Sequence, residues 1–252
     1  MTWDAELDRA VNAAKAAGQL LLDAMSGARA VLSAKGKDIK LQADQDAENV
    51  ILDALSSSDY PVLAEESGEH GDTQSGGPMW IVDPLDGTMN FKRGIPICCV
   101  SIGLMQGDEP ILGVIYDFNR DDLYTGIMWQ GAFLNGKEMS VSDVETRCDA
   151  VISTGFPVSR DYSSDAVLDF VRYVQSYKKV RFLGSAAMSL AWVASGCVDA
   201  CVEEDVMLWD VAAGAAIVQA AGGYVELLPS DSKPWARKVR AVSRKALLED
   251  EA

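Results

Sequence analysis

The chain has 252 residues, 48% hydrophobic and 24% charged, a composition typical of a globular protein and unlike a disordered, fibrous or membrane-spanning one. Its net charge of −16 argues against nucleic acid and anionic membranes as partners, because both are bound by clustered Lys and Arg. A single histidine, His70, leaves little room for Ser-His-Asp catalysis or histidine-ligated zinc.

The cysteines and the start of the chain indicate the cellular compartment of the protein. Five cysteines include an adjacent pair but no CxxC spacing, which is typical of reduced thiols. Charged residues occur throughout the first thirty positions, so no apolar export signal is evident. We therefore expect a cytoplasmic location.

The first third of the chain opens with a helical pattern. Apolar residues recur at helical spacing from Thr2 to Met25, with Thr2 as a candidate N-cap. The basic segment from Lys35 to Asp38 is typical of a hairpin tip or a mobile loop. A second helix is predicted from Asp44, whose position favours an N-cap over a role in an active site.

Two short apolar strands end in acidic residues. The run 61–64 leads into Glu65, and the run 80–82 leads into Asp83. Pro84 follows Asp83 and should stop the strand there, because proline donates no backbone hydrogen bond. Ligand sites in open sheets lie at such strand ends. A solvent-exposed acidic loop is the alternative for both segments.

A tight turn comes directly after Asp83. Asp86, Gly87 and Thr88 should bring two carboxylates and a hydroxyl group to one region. Two carboxylates held together repel each other unless a cation or a proton lies between them. The turn therefore predicts either an ion site or, as the simpler alternative, a solvated turn.

The rest of the chain suggests two lobes. Three strand-like runs between Ile97 and Met128 predict antiparallel hairpins, whereas strands and helices alternate after Cys148. We predict an N-terminal α+β lobe, residues 1–147, with two helices on a large antiparallel sheet, and a C-terminal βα lobe, residues 148–252, that contains Asp210.

Two segments of the second lobe carry polar groups suited to chemistry. Gly184-Ser185-Ala186-Ala187 lies between a predicted strand and a helix, where backbone N–H groups favour an anion. Taken alone this segment is weak evidence. Asp210 lies at the start of a later helix, after the acidic run 203–205, and a simple N-cap is the alternative for it.

The acidic residues together favour a hard cation. Oxygen ligands with almost no histidine are those that Mg²⁺ prefers, and two such ions can activate a water molecule for attack on a phosphoryl group. A calcium EF-hand is excluded because Leu85 and Gly94 occupy its third and twelfth positions. An aspartyl-phosphate mechanism lacks its D-x-D motif. The candidate ligands are Glu65, Asp83, Asp86 and Asp210.

Five segments together resemble the inositol monophosphatase family in order and spacing, over nearly the whole chain. They are AEES at 64–67, WIVDPLDGTMNF at 80–91, GSAA at 184–187, WDVAAG at 209–214 and AGG at 221–223. The resemblance implies a layered α-β-α-β-α sandwich of the inositol monophosphatase and fructose-1,6-bisphosphatase type. It also implies a lithium-sensitive homodimer that hydrolyses phosphate monoesters with two or three Mg²⁺ ions.

The resemblance also implies that the main metal site lies in the lobe 1–147 and that the lobe 148–252 supplies Asp210 and the substrate pocket, and it implies roles for single residues. Glu65, Asp83 and the Leu85 carbonyl should hold one metal, and Asp83, Asp86 and Asp210 the second. Thr88, paired with Asp44, should orient the attacking water, and Glu65 is assigned a catalytic role as well. The substrate should contact Asp86, Gly87, Thr88, Gly184, Ser185, Ala186, Glu203 and Asp210.

Substrate choice stays open at this point. Family members act on inositol phosphates, fructose 1,6-bisphosphate, histidinol phosphate and 3′-phosphoadenosine nucleotides. A carboxylate-rich site disfavours further phosphates, so we expect a monophosphorylated inositol, sugar or polyol. A non-catalytic metal-binding or regulatory module is the alternative of another class, although every expected ligand is present. The segment 35–37 aligns only loosely with the family's metal-binding loop.

Overall fold

A computed structural model describes residues 3–25, 31–35, 38–156 and 161–248. The chain opens with two helices separated by a hairpin: α1 (Asp4–Met25), β1 (Val31–Lys35), β2 (Asp38–Leu41) and α2 (Gln42–Leu55). Strands β1 and β2 pair antiparallel, with Lys35 opposite Asp38. Thr2, Gly36 and Lys37 lie outside the described residues.

The first sheet has eight strands in the order β10-β9-β8-β7-β6-β5-β3-β4. All neighbours run antiparallel except β3 and β5, which are parallel. The elements are β3 (Val62–Ala64), β4 (Gly68–His70), β5 (Pro78–Asp86), helix α3 (Thr88–Arg93), β6 (Cys99–Gln106), β7 (Glu109–Asp117), β8 (Asp122–Ile127), β9 (Gly131–Leu134) and β10 (Lys137–Met139).

The second sheet has five strands in the order β12-β11-β13-β15-β14. Strands β12, β11 and β13 are parallel, whereas β15 runs antiparallel to both β13 and β14. The elements are β11 (Val151–Thr154), α4 (Ser164–Gln175), β12 (Lys179–Arg181), α5 (Ala186–Ala194), β13 (Ala200–Met207), α6 (Leu208–Ala220), β14 (Tyr224–Pro229), β15 (Ala236–Val242) and a 3-10 turn, Lys245–Leu248.

Buried side chains define five layers. Helices α1 and α2 cover one face of the first sheet, with Leu21 and Ile51 packed in the same core as Trp80. Helices α5 and α6 lie between the two sheets, where Val211 shares a core with Ile115 and Val239. Helix α4 covers the outer face of the second sheet. The predicted α-β-α-β-α sandwich is therefore confirmed.

Helix α6 lies in backbone contact with the first sheet. A Cβ atom added to Gly103 of β6 would lie 2.9 Å from the backbone nitrogen of Ala213. One added to Gly126 of β8 would lie 2.9 Å from the Cα of Ile217. Only glycine permits this approach, and it fixes the height of α6 above the strands.

No helix among the described residues is both long enough and apolar enough to cross a lipid bilayer.

Candidate active site

Three carboxylates meet where the end of β5 faces the first turn of α6. One oxygen atom from each of Asp83, Asp86 and Asp210 lies within 4.8 Å of the other two. Asp83 and Asp86 belong to the end of β5, and Asp210 is the third residue of α6. The structure therefore brings together three of the four predicted carboxylate ligands from opposite halves of the chain.

A bulge in β5 aims two of these carboxylates. Asp83 pairs with Ser101 and Asp86 with Cys99, so Pro84 and Leu85 together face a single residue of β6. The prediction that Pro84 ends the strand was wrong, because a bulge accommodates a residue without an N–H donor. The Leu85 N–H turns inward and donates to Asp83 Oδ1 at 2.9 Å.

The turn after Asp86 positions Thr88. Gly87 has a φ of 90°, and a Cβ there would lie 2.8 Å from the Ile97 carbonyl oxygen, so the position requires glycine. Thr88 begins the short helix α3, and its hydroxyl group donates to the Leu85 carbonyl oxygen at 3.2 Å. Sequence periodicity missed α3 because six residues are too few to show a helical pattern.

Glu65 completes the group of acids. Its N–H donates to the Val82 carbonyl oxygen at 3.1 Å, which places it beside the end of β5. Its carboxyl group is hydrogen-bonded to that of Asp83. Burial, and then the charge of Asp210, raises the pKa of Glu65 well above its ordinary value. Burial and Glu65 raise the pKa of Asp83 in the same way.

The other two carboxylates have partners of their own. Burial raises the pKa of Asp86 to about 6, although its Oδ2 accepts hydrogen bonds from the Ser185 hydroxyl at 2.5 Å and the Ala187 N–H at 2.7 Å. Burial, followed by the charge of Asp86, raises the pKa of Asp210 to about 8. Asp210 Oδ2 accepts the Met207 N–H at 3.0 Å.

These acids suit a hard divalent cation. Four carboxyl groups with raised pKa values are crowded together, and a bound cation relieves both their desolvation and their mutual repulsion. The donors are oxygen atoms, which Mg²⁺ prefers. Burial and the charges of Asp86 and Asp83 raise the pKa of the neighbouring Cys99 thiol, so that sulfur stays protonated and is a poor ligand.

Helix α2 contributes two buried acids to the same region. It begins at Gln42, so Asp44 is its third residue rather than its N-cap, and the side chains of Asp44 and Glu48 are both buried. Glu48 Oε2 accepts the Glu66 N–H at 2.8 Å and so holds the segment that carries Glu65. The analysis of the sequence missed Glu48, although its signal was present: both acids share the apolar face of the helix.

We expect Glu48→Ala to lower the apparent affinity for Mg²⁺ by about 10- to 100-fold, the usual effect of removing a group that orients a metal ligand. A Mg²⁺ titration of phosphatase activity measures this, and a thermal melt checks folding. Glu48→Gln keeps an acceptor for the Glu66 N–H and should stay within about threefold of the wild type. An unchanged titration for Glu48→Ala would show that Glu65 does not depend on this bond.

The segment before α5 borders Asp86. Ser185 caps α5 by accepting the Met188 N–H at 3.2 Å, and Gly184 has a φ of 71°. The Asn90 side-chain amide donates to the Leu183 carbonyl oxygen at 2.8 Å, which ties this segment to α3. The first N–H groups of α5 thus face a carboxylate of the cluster. The predicted role of Gly184, Ser185 and Ala186 in substrate binding stays a prediction.

Glu203 lies on the same side of the second sheet as α5. It is buried on β13, and a Cβ atom added to Gly155 would lie 2.8 Å from its Oε2. A bulge between Glu203 and Val206, with Asp205 at a φ of 56°, then directs the chain toward α6. Asp210 is not the N-cap of that helix, because the cap position is Met207. Contact between Glu203 and the substrate stays a prediction.

The layered α/β sandwich that holds this acidic cluster is of the inositol monophosphatase and fructose-1,6-bisphosphatase type. The chain belongs to the inositol monophosphatase family, whose model matches residues 3–249. The predicted resemblance is therefore confirmed, and so is the prediction of a phosphoric monoester hydrolase at the level of the family.

Individual relatives and a solved structure are also similar to this chain over most of its length. The Nus factor SuhB of Xylella fastidiosa is 38% identical over 220 residues, covering 85% of this chain and 79% of that protein. The inositol-1-monophosphatase of Mesorhizobium japonicum is 40% identical over 200 residues, covering 77% and 74%. The structure of the inositol monophosphatase from Anabaena gives a TM-score of 0.84 at 33% identity, covering 98% of this chain and 94% of that one.

Proposed function

We propose that this protein hydrolyses a small phosphate monoester, an inositol monophosphate or a related sugar or polyol phosphate, with Mg²⁺ as cofactor. The observation that carries the proposal is the carboxylate cluster, in which one oxygen atom from each of Asp83, Asp86 and Asp210 lies within 4.8 Å of the other two and Glu65 is hydrogen-bonded to Asp83. Membership of the inositol monophosphatase family supports the reaction. The relatives named inositol-1-monophosphatase support the substrate class.

The chain offers ligands for two or three ions. Glu65, Asp83 and the Leu85 carbonyl would hold one, and Asp83, Asp86 and Asp210 a second. Bound Mg²⁺ supplies positive charge that polarises the phosphoryl group and acidifies water. Side chains of this protein would orient the attacking water.

Thr88 and Asp44 would orient the attacking water. The Thr88 hydroxyl donates a hydrogen bond to the Leu85 carbonyl oxygen, so its own oxygen is left to accept a hydrogen bond from water. Asp44 is buried close enough to Glu65 to raise the pKa of that acid, which places it in the same electrostatic environment. Glu65, which is hydrogen-bonded to Asp83, would act in catalysis as well as in metal binding.

We expect Thr88→Ala to lower kcat by about 10²-fold while the Mg²⁺ affinity changes little, because the hydroxyl orients water rather than holding the ions. Steady-state kinetics over a Mg²⁺ titration separates the two effects. Thr88→Ser keeps the hydroxyl group and serves as the matched control. A Thr88→Ala enzyme with normal kcat would remove Thr88 from the catalytic group.

A competitive phosphatase screen with Mg²⁺ tests the proposed substrate. Inositol, sugar, histidinol and nucleotide monophosphates and fructose 1,6-bisphosphate are compared by kcat/KM, with and without lithium. We expect an inositol, sugar or polyol monophosphate to be the best substrate and lithium to inhibit. A bisphosphate or adenosine nucleotide as the best substrate would contradict the substrate class but not the reaction.

A homodimer and a cytoplasmic location complete the proposal. Homodimerisation follows from the family resemblance alone, and sedimentation or light scattering tests it directly. The cytoplasmic location follows from the sequence, because five cysteines without a CxxC spacing are typical of reduced thiols.

A further inference from the structure

The buried side chain of Asn90 in α3 joins three separate backbone carbonyl groups. Asn90 is only 8% exposed. Its Nδ2 atom donates to the Ile97 carbonyl oxygen at 2.7 Å. It also donates to the carbonyl oxygens of Leu183 at 2.8 Å and Gly184 at 3.3 Å. Carbonyl oxygens only accept hydrogen bonds, so this position requires the NH₂ group of an amide rather than a carboxylate.

Two of these carbonyl groups belong to the segment that leads into α5. Leu183 and Gly184 come directly before Ser185, which is the N-cap of that helix. Gly184 has a φ of 71°, and a Cβ atom added to it would lie 3.2 Å from Asn90 Nδ2. The backbone of the segment thus lies directly against the amide. This contact fixes the start of α5 relative to α3.

The same segment holds Asp86 through bonds of the opposite direction. The Ser185 hydroxyl donates to Asp86 Oδ2 at 2.5 Å, and the Ala187 N–H donates to the same atom at 2.7 Å. The stretch 86–90 of the first half therefore accepts hydrogen bonds from the start of α5 through Asp86 and donates to it through Asn90. A shift of the segment 183–187 along the stretch 86–90 would break both sets of bonds.

We propose that Asn90 is a positioning residue for Asp86. The inference rests on the proposed function, in which Asp86 is a ligand of Mg²⁺. By holding the segment 183–184 against α3, Asn90 keeps the Ser185 hydroxyl within hydrogen-bond distance of Asp86. That bond orients the carboxylate, and partners that orient a metal ligand raise the affinity for the metal. Loss of the Asn90 amide should weaken Mg²⁺ binding although every ligand remains.

The test measures Mg²⁺ binding to the substrate-free protein by calorimetry, so the result does not depend on turnover. Asn90→Asp keeps the shape of the side chain but turns an oxygen atom toward carbonyl oxygens. We expect it to raise the Mg²⁺ dissociation constant by about tenfold. Gly184→Ala disturbs the same contact from the other side and should act in the same direction. It carries the test if circular dichroism shows that Asn90→Asp does not fold.

A double-mutant cycle shows whether Asn90 acts through the bond to Asp86. Ser185→Ala removes the hydroxyl donor and should raise the dissociation constant by about tenfold. Because both changes break one chain of contacts, the double variant should bind within about twofold of the weaker single variant. Ser189→Ala is the matched control. It removes a buried hydroxyl group of α5 that bonds to Ser153 at 2.8 Å, and it should change Mg²⁺ binding by less than about twofold.

The outcomes separate this inference from the proposed function. If the wild type binds Mg²⁺ and hydrolyses a phosphate monoester while folded Asn90→Asp binds Mg²⁺ equally well, the positioning role alone is overturned. Single effects that multiply to about 100-fold in the double variant also overturn it, because they show independent action. So does an equal loss of binding in Ser189→Ala, which would indicate a general effect on folding. A wild type that neither binds Mg²⁺ nor releases phosphate overturns the proposed function as well.

Discussion

Asp83→Asn should abolish turnover and, at the same time, stabilise the protein in the absence of metal. We expect kcat/KM to fall by about a thousandfold or more, roughly 4 kcal/mol of transition-state stabilisation, because Asp83 is the predicted ligand shared by both ions. Removing a ligand charge also raises the pKa of water at the site. Phosphate release at saturating Mg²⁺ measures this loss.

The expected stabilisation of the metal-free Asp83→Asn protein has a separate cause. Burial and Glu65 raise the pKa of Asp83, so its charge is costly in the metal-free protein, whereas an asparagine still accepts the Leu85 N–H. We expect the metal-free Tm to rise by about 2–6 °C. Asp59→Asn makes the same charge change at an exposed position and should alter neither property. Near-normal activity in Asp83→Asn would refute the assignment of the site.

The metal-free protein should also lose stability as the pH rises from about 5 to about 8. The folded-state pKa values of Asp86 and Asp210 are about 6 and about 8, against an ordinary value of 3.8. Between the ordinary and the raised values the folded state binds more protons than the unfolded chain, so the free energy of unfolding falls with increasing pH. We expect a loss on the order of 2–5 kcal/mol, since screening reduces the contribution of the partly exposed Asp210.

Chemical denaturation with a chelator present measures this slope. Saturating Mg²⁺ should flatten it, because bound cations replace protons among the carboxylates and bind more tightly as the pH rises. Asp83→Asn should also reduce the slope, since it removes one source of repulsion. Stability that rises with pH in the chelated wild type would show that the acids are not held together as the structure has them.

The sequence predicted the elements whose patterns are long or well bounded. Helix α1 and the β6–β8 hairpins follow from apolar spacing and from Gly, Asp and Asn turns. Strand β15 was missed because Arg237 and Arg240 interrupt its apolar pattern. In the structure Arg237 is buried, and Arg240 forms an ion pair with Glu226 of the paired strand at 3.2 Å. An ion pair with the neighbouring strand thus stabilises a charged residue whose presence in the sequence argues against a strand.

The residues of the candidate site likewise differ in how far the local sequence predicts them. Asp83 and Asp86 could be identified from the turn that carries them, because Pro84 and Gly87 constrain the backbone locally. Asp210 looked like a helix cap by itself, and its place beside Asp86 depends on how α6 packs. Glu48 stands out in the sequence only as a second acid on the apolar face of α2. Its role depends on its hydrogen bond to the Glu66 N–H, a contact distant in sequence.

The glycine contacts beneath α6 bear on how the two halves are held together. Gly103 and Gly126 let the helix of the second half lie against the backbone of the first sheet, so the segments on either side of residue 147 share one core rather than a hinge. A hinge motion that separated the two halves would break this core and pull Asp210 away from Asp83. The spacing of Asp83 and Asp210 thus depends on the packing of this shared core.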